Sequence, residues 1–267
     1  CRLRSPSCCS GCTVDWTLLA LVGFAFVAGF VDAVVGGGGL IQVPALFVLK
    51  PELSPATLFG TNKLSSIVGT ANATWQYARR VQLPWRLLLI TAGTAFVFSF
   101  LGARAVSVLN PNALRPMIIV LLVLVFVYTL IKKDFGSLHA PKLSDRRQRV
   151  FGLLLGAAIG FYDGFFGPGT GSFLVFAFVG IFGFSFLAAS ASAKVINLAT
   201  NAAALAWFIP TGHVLYQAAV PMAFANLAGS WCGAHLAMKR GSGFVRLFFI
   251  GVVALLLARM VWDTLRG

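Results

Sequence analysis

The sequence predicts an all-α, polytopic membrane protein, and three observations support this fold class. Of the 267 residues, 58% are hydrophobic and only 10% are charged, whereas an ordinary soluble domain is about 25% charged. Apolar runs of about 20 residues, long enough to cross a bilayer as a helix, recur along the chain. Most lysines and arginines lie between these runs. We therefore exclude a soluble enzyme, a disordered tail and a nucleic-acid-binding domain, although the net charge is +14.

We predict about eight transmembrane helices, each from an apolar run of membrane length. They cover residues 16–35, 56–78, 85–108, 113–131, 150–167, 187–209, 214–238 and 244–264. Two shorter apolar pieces, Leu40 to Leu49 and Ser172 to Phe184, have the length of broken or re-entrant segments. Prolines lie near several predicted ends, as helix stops do; these are Pro51, Pro55, Pro84, Pro111 and Pro210.

The regions outside the spans divide the chain into four parts. Six of the 21 lysines and arginines lie in residues 132–149, and short cytoplasmic loops collect such cations. We predict a first transmembrane repeat over 16–131, a charged cytoplasmic linker over 132–149 and a second repeat over 150–267. Residues 1–15 carry four cysteines without a histidine. We expect this segment to be disordered or artefactual, with a small metal or redox site as the alternative.

An internal repeat becomes visible when the sequence is shifted by 131 residues against itself. The alignment runs from 29 to 115 without a gap and pairs Asp32 with Asp163, Lys63 with Lys194, and Arg115 with Arg246. Charged residues are too scarce in this chain for composition alone to explain these pairs. Duplicated halves are common in secondary transporters, whose substrate sites lie near mid-membrane on interrupted helices. The loop cations favour halves of inverted topology, and parallel halves are the alternative.

A helix break is predicted at the same place in each half. Asp32 is followed by four glycines at 36–39, and Asp163 by Gly167-Pro168-Gly169. Glycine costs a helix about 1 kcal/mol and proline about 3 kcal/mol relative to alanine. The freed backbone groups need partners in protein or in a wet cavity. We predict an unwound segment that lines a cavity, and close helix packing through small residues is the alternative.

The two matched lysines lie inside predicted spans. Lys63 is roughly 12 Å along its helix at 1.5 Å per residue, and Lys194 is at the matching depth. A cation there costs about 2.5–3.5 kcal/mol, so such residues usually face a substrate path; snorkelling to the interface is the alternative. Polar residues follow each lysine at helical spacing, namely Ser66 and Thr70, and Asn197 and Asn201.

Lysines, hydroxyls, amides and backbone N–H groups at helix breaks together indicate a site for a small oxyanion. The candidate substrate-binding residues are Lys63, Lys194, Asn62, Ser66, Asn197, Asn201, Gly38 and Gly169. Asp32 and Asp163 have two open interpretations. They carry protons, as intramembrane carboxylates often do, or they are structural, neutralising a lysine or bonding the glycine-loop N–H groups. We expect no catalytic residue, no metal site and no cofactor, because the three histidines are scattered.

Three segments resemble the TauE/SafE family, most closely its YfcA branch. They are Gly29-Phe30-Val31-Asp32 with the glycine run, Thr61-Asn62-Lys63, and Gly160-Phe161-Tyr162-Asp163-Gly164-Phe165-Phe166-Gly167-Pro168. The resemblance covers about residue 20 to the C-terminus. It implies a multi-pass protein of the bacterial inner (plasma) membrane that moves a small sulfur-containing anion such as sulfite or an organosulfonate. Another small organic anion is the alternative substrate, and a proton or ion gradient is a candidate energy source.

The leading functional prediction is a secondary transporter that works by alternating access around a mid-membrane site between the two repeats. Its partners are the lipid bilayer and a small anion, with no nucleic acid. A membrane-embedded enzyme is an alternative, but it needs a nucleophile with a positioned base or a metal cluster, and the chain has only seven acidic residues. A non-transporting membrane scaffold is the other alternative, and it has no need of lysines at matched depth.

Overall fold

The computed structural model describes residues 16–109 and 144–266, with 242–266 as backbone only. These residues form eight helices and no strand, which confirms the all-α class. The helices are α1 (Trp16–Val35), α2 (Gly39–Leu49), α3 (Pro55–Ala78), α4 (Trp85–Val108), α5 (Asp145–Phe165), α6 (Thr170–Gly180), α7 (Phe186–Phe208) and α8 (Tyr216–Arg266). Residues 1–15, the predicted span 113–131 and most of the predicted linker 132–149 lie outside the described residues.

Two helix boundaries differ from the sequence prediction for local reasons. Helix α5 begins at Asp145 rather than at 150 because Ser144 adopts the extended conformation of an N-cap and Asp145 places a carboxylate at the positive helix end. Helix α8 spans two predicted elements, 214–238 and 244–264. Gly241, with φ 72° and ψ −168°, breaks the helical conformation between them. The other described helices begin and end within two residues of the predicted positions, apart from the C-terminus of the second short piece.

By length and apolar composition, two of the described helices are able to cross a membrane, α1 and α4. The short apolar helices α2 and α6 have 11 residues each, too few to span the roughly 30 Å hydrocarbon core. Helices α3 and α7 are continuous and have the length of a span, but their sequences contain buried polar residues, among them Lys63 and Lys194.

Helices α1, α3 and the first part of α8 run in one direction. The backbone N–H of Leu215, just before α8, donates to Thr61 Oγ1 on α3, and Ser230 Oγ on α8 donates to the Gly69 carbonyl on α3. Residue numbers therefore increase in the same direction along both helices, which are parallel. Between α1 and α8, Gly229 lies against Phe26 and Gly233 against Phe30. Small residues allow this close packing of helix backbones.

Helices α4, α5 and α7 run in the opposite direction. Ser99 Oγ donates to the Thr200 carbonyl at 2.8 Å, and Trp207 Nε1 donates to Ser107 Oγ at 3.1 Å, so α4 and α7 are parallel. Helices α4 and α5 are also parallel, since successive glycines along α5 lie against successively later residues of α4. The start of α3 meets the end of α7, where a Cβ on Gly60 would lie 3.1 Å from Phe208 Cβ. The two sets of helices are therefore antiparallel.

These directions place the end of α3 and the starts of α4 and α5 at one end of the bundle, together with the segment of α8 before Gly241. We call this the cationic end. Within the described side chains it carries eight exposed lysines and arginines, which are Arg79, Arg80, Arg86, Arg146, Arg147, Arg149, Lys239 and Arg240. The opposite end carries Lys50 and Arg104. Among the described side chains, positive charge is thus strongly asymmetric between the two ends of the bundle.

Candidate functional site

The two short helices follow breaks that meet at the centre of the bundle. Helix α1 ends before Gly36, with φ 80°, and α5 ends before Gly167 and Gly169, with φ 92° and 84°. Glycine adopts these positive φ angles without steric cost. A Cβ on Gly36 would lie 2.5 Å from the Gly171 carbonyl carbon. Glycine is therefore required at this position both for the turn and for the contact between the two breaks.

Side chains of neighbouring helices satisfy carbonyl groups that the breaks leave free. Tyr77 Oη donates to the Ala33 carbonyl at 2.8 Å, and Ser190 Oγ donates to the Val34 carbonyl at 2.9 Å. In the other half, Tyr162 Oη donates to the Pro168 carbonyl at 2.6 Å. Buried carbonyls without a partner are costly in a membrane, so these bonds stabilise the interrupted helices.

Two buried ion pairs lie beside the breaks. Lys63 Nζ on α3 is 2.6 Å from Asp163 Oδ2 on α5, and the two side chains are 4% and 6% exposed. Lys194 Nζ on α7 is 2.9 Å from Asp32 Oδ2 on α1, and these side chains are 0% and 21% exposed. Each aspartate pairs with the lysine of the other predicted repeat. The site therefore holds two positive and two negative side chains, with a net charge of zero.

A cavity of about 40 Å³ lies between these groups. Its lining combines charged, amide, hydroxyl and glycine residues: Asp32, Gly36, Gly39, Asn62, Lys63, Ser66, Thr70, Asp163, Gly167, Gly169, Thr170, Gly171, Asn197 and Asn201. It includes most of the candidate residues named from the sequence. Asn62 Oδ1 and Asn197 Oδ1 are buried and have no hydrogen-bond partner in the described part of the chain. An unpaired buried polar atom costs about 1–3 kcal/mol, so these two acceptor oxygens favour a hydrogen-bond donor in the cavity.

Two of the candidate residues do not line the cavity. Lys194 is fully buried behind Asp32, so its contact with the cavity passes through that carboxylate. Gly38 packs against α1, where a Cβ would lie 2.7 Å from Asp32 Cβ. Conversely, Thr70 and Thr170 line the cavity but were not among the candidates. Thr70 lies one helical turn after Ser66, on the helix face that also carries Lys63. This spacing is the sequence signal that could have placed Thr70 among the candidates.

The starts of α2 and α6 both contribute to the cavity wall, through Gly39 and Thr170. Helix N-termini present free N–H groups and a partial positive charge, which attract anions. Within residues 16–109 and 144–241, no three His, Cys, Asp or Glu side chains form a group that could hold a metal ion. The described lining of the cavity supplies hydrogen-bonding groups and ion pairs.

Comparison with known proteins identifies the family. The model of the family described as "Sulfite exporter TauE/SafE" matches residues 21–260. The chain is 33% identical over 244 residues to "Probable membrane transporter protein YfcA" of Escherichia coli K12, covering 90% of this chain and 88% of the relative. It is 35% identical over 242 residues to a "Probable membrane transporter protein" of Haemophilus influenzae, covering 89% and 92%. No solved structure matches the chain significantly.

The same description recurs in a third relative, "Probable membrane transporter protein ORF9" of Sinorhizobium, which is 34% identical over 243 residues and covers 90% of each chain. The resemblance inferred from the glycine and lysine motifs is thus confirmed. The prediction that the chain is not an enzyme is confirmed as well, because the family and these relatives are described as transporters. The chain belongs to the TauE/SafE family and is a membrane transporter.

Proposed function

We propose that this transporter is a secondary carrier of a small anion, with sulfur oxyanions and organosulfonates such as sulfite as its substrate class. The anion binds at the cavity beside the two ion pairs, and the carrier works by alternating access. The observation that carries the proposal is the pair of reciprocal ion pairs, Lys63 with Asp163 and Lys194 with Asp32. The family description, sulfite exporter, supports the substrate class.

A duplicated architecture is the first step of this proposal, and helix positions support it. Helices α2 and α6 begin at 39 and 170, α3 and α7 at 55 and 186, and α4 and α8 at 85 and 216. Each pair differs by 131, the shift found in the sequence. The bonds that join the helices repeat as well: Ser99 donates to Thr200, and its counterpart Ser230 donates to Gly69.

The repeats have inverted topology in this proposal. Helices α1, α3 and the first part of α8 run opposite to their counterparts α5, α7 and α4; the second and third pairs begin 131 residues apart, and α1 and α5 begin 129 residues apart. We infer a multi-pass protein of the bacterial inner membrane whose cationic end faces the cytoplasm, since cytoplasmic loops collect lysine and arginine. Inverted repeats are a common basis of alternating access, because the two halves exchange conformations.

The donors and the volume of the cavity support a small anion as the substrate. Lys63, the hydroxyls of Ser66 and Thr70, and two helix N-termini supply donors for an oxyanion. The volume of about 40 Å³ is far below the roughly 300–1,000 Å³ of pockets that hold larger organic ligands. The anion is therefore small, such as an inorganic oxyanion or a short sulfonate.

The aspartates act as internal counter-ions in this scheme. An empty site with two bare lysines in a low-dielectric interior would be unstable, because a buried charge without a partner is costly. Asp32 and Asp163 neutralise the lysines, and an arriving anion competes with these carboxylates for the ammonium groups. Exchange of an anion for a carboxylate is also where a proton or ion gradient would be coupled to transport, because intramembrane carboxylates often serve as proton relays.

The experiment that tests the proposal is flux of radiolabelled sulfite into proteoliposomes that contain the purified chain. Lys63→Ala and Lys194→Ala are expected to reduce flux to the level of empty liposomes. Lys50→Ala, at the bundle end after α2, is the control and is expected to retain flux. The paired variant Lys63→Met with Asp163→Leu removes both charges and controls for instability. It is expected to remain folded and to lose flux.

Unchanged flux in both single lysine variants would contradict the site assignment. A thermal-shift panel of sulfite, thiosulfate, sulfate and two sulfonates identifies the preferred anion. We expect stabilisation of the wild-type protein by at least one sulfur anion and not by the lysine variants. Stabilisation by none of them, together with no sulfite flux, would contradict the proposed substrate class.

A further inference from the structure

A second polar cavity, of about 530 Å³, lies at the cationic end, away from the ion pairs. It lies between the end of α3 and the segment of α8 before Gly241, and its lining residues are Trp75, Gln76, Arg79, Arg80, Trp231 and His235. We call it the arginine pocket. Its volume is within the range of about 300–1,000 Å³ that is typical of ligand sites, so it is large enough for an organic headgroup.

The two arginines of the pocket have no carboxylate partner among the side chains that the structure describes. The only ion pairs among the described side chains are the two beside the central cavity, and Arg79 and Arg80 are exposed. The guanidinium carbon of Arg79 lies 4.7 Å from the ring centroid of Trp75, an arrangement that orients the guanidinium plane. Guanidinium groups bind phosphate through paired N–H donors, so two unpaired arginines at adjacent positions favour a phosphate.

A buried amide adds a second, independent feature. Gln76 is 8% exposed, and its Nε2 has no hydrogen-bond partner in the part of the chain that the structure describes. Buried donors of this kind are nearly always paired. Gln76 lines the same pocket as the arginines, so its unpaired amide lies next to the space that a ligand would occupy.

The aromatic residues of the pocket indicate a lipid rather than a soluble phosphate. Trp75 and Trp231 are 58% and 57% exposed, and tryptophan is enriched where the membrane meets water. Trp231 stacks on His235 with ring centroids 6.0 Å apart. The pocket thus combines cations with amphipathic rings at the end of the membrane-spanning bundle. Basic pockets between transmembrane helices on the cytoplasmic side bind anionic headgroups.

The wider charge distribution favours the same ligand. The cationic end carries eight exposed lysines and arginines but only one described carboxylate, that of Asp145. Anionic lipids of the cytoplasmic leaflet are attracted to such a surface. We propose that the arginine pocket binds the phosphate headgroup of an anionic phospholipid. This site is separate from the central cavity and goes beyond the proposed anion transport.

Lipid binding is measured on the purified full-length chain by native mass spectrometry and by thermal shift. The probes are phosphatidylglycerol, zwitterionic phosphatidylcholine and soluble glycerol phosphate. The test variant is Arg79→Gln with Arg80→Gln. The control is Arg146→Gln with Arg147→Gln, which removes two exposed cations from the same end but outside the pocket. A third variant, Gln76→Leu, removes the buried donor.

Wild type and the control are expected to retain phosphatidylglycerol in preference to phosphatidylcholine and to be stabilised by it. The Arg79 and Arg80 double variant is expected to bind phosphatidylglycerol about 25-fold more weakly, because each cation near an anionic membrane contributes a factor of about five. Gln76→Leu is expected to weaken binding while leaving thermal stability in phosphatidylcholine unchanged.

Three results would overturn the proposal. The first is equal loss of phosphatidylglycerol in the control and the test variant, which would indicate general surface charge. The second is equal retention of the two lipids by the wild type. The third is stabilisation by glycerol phosphate that matches that by phosphatidylglycerol, which would assign the pocket to a soluble phosphate.

Discussion

Lys63 on α3 donates a hydrogen bond to Asp163 on α5 across 2.6 Å, although the two residues are 100 positions apart in the chain. The residues found by adding or subtracting 131, Lys194 and Asp32, form the same bond at 2.9 Å. The bonds cross between the two halves, so neither half completes its own charged site. This reciprocity explains how four charged residues are stable inside an apolar bundle: each charge is neutralised within hydrogen-bond distance.

Removing one partner of the ion pair between Lys63 and Asp163 is expected to destabilise the protein more than removing both partners. Lys63→Met or Asp163→Leu alone leaves a buried charge without a partner, which costs about 3–5 kcal/mol. Removal of both charges is expected to recover most of that loss, since well-packed apolar residues replace buried ion pairs at little cost. Chemical unfolding of the four proteins in detergent measures the coupling energy. Additive losses, with the double variant least stable, would contradict the pairing.

The serine bonds between helices are expected to contribute equally in the two halves. Ser99 Oγ donates to the Thr200 carbonyl at 2.8 Å, and Ser230 Oγ donates to the Gly69 carbonyl at 2.5 Å. Bonds of this kind in membrane bundles contribute about 0.6 kcal/mol on average. Ser99→Ala and Ser230→Ala are each expected to lower the free energy of unfolding by about this amount. Because the two serines share no hydrogen-bond partner, the double variant should show the sum.

Much of the secondary structure could be predicted from the sequence, because apolar run length and helix-breaking residues act locally. The bounds 16–35 and 85–108 are those of α1 and α4, and the glycine runs mark the breaks before α2 and α6. The start of α5 and the break in the helix at Gly241 are harder to predict from the sequence. They depend on the backbone conformation of single residues, Ser144 and Gly241, within a polar stretch that hydropathy does not resolve.

The partners of the charged residues could not be predicted from the sequence. The roles of Asp32 and Asp163 stay open at the level of sequence, because spacing along a chain does not tell which lysine faces which carboxylate. The pairing depends on tertiary packing, in which α4 of the first half lies along α5 of the second, and α8 lies along α1. The same packing places Lys194 behind Asp32, which residue type and depth alone do not reveal.

Close packing of α4 on α5 is expected to fail when a methyl group is added at Gly160. A Cβ there would lie 2.5 Å from the Ala95 carbonyl oxygen and 2.6 Å from its Cα. The added atom meets backbone rather than a flexible side chain, so the helices must separate, and such overpacking costs about 1–3 kcal/mol. Gly160→Ala is therefore expected to lower the thermal stability of the purified protein.

Gly93, on α4, provides the matched control for this substitution. A Cβ at Gly93 would meet nothing within 4 Å, and alanine has the higher helix propensity, by about 1 kcal/mol. Gly93→Ala should be neutral or stabilising in the same thermal-shift measurement. Equal behaviour of the two variants would contradict the α4–α5 contact.

The opposite directions of the two helix sets are expected to place Arg80 and Thr211 on different sides of the membrane. Arg80 follows α3 at the cationic end, whereas Thr211 follows α7 at the other end. Their distance from each other along the bundle axis is set by helices of 23 and 24 residues, or roughly 35 Å at 1.5 Å per residue. This length matches a bilayer, so the two positions should differ in access to a reagent that does not cross membranes.

This arrangement is tested with single cysteines, Arg80→Cys and Thr211→Cys, in a background without native cysteines. Intact cells are labelled with a membrane-impermeant maleimide. Thr211→Cys is expected to react from outside and Arg80→Cys only after the membrane is opened, because we propose that the cationic end faces the cytoplasm. A third position, Lys239→Cys before Gly241, lies at the cationic end and should behave like Arg80→Cys. Labelling of Arg80→Cys and Lys239→Cys from opposite sides would contradict the parallel course of α3 and α8. Labelling of all three from one side would contradict the inverted halves.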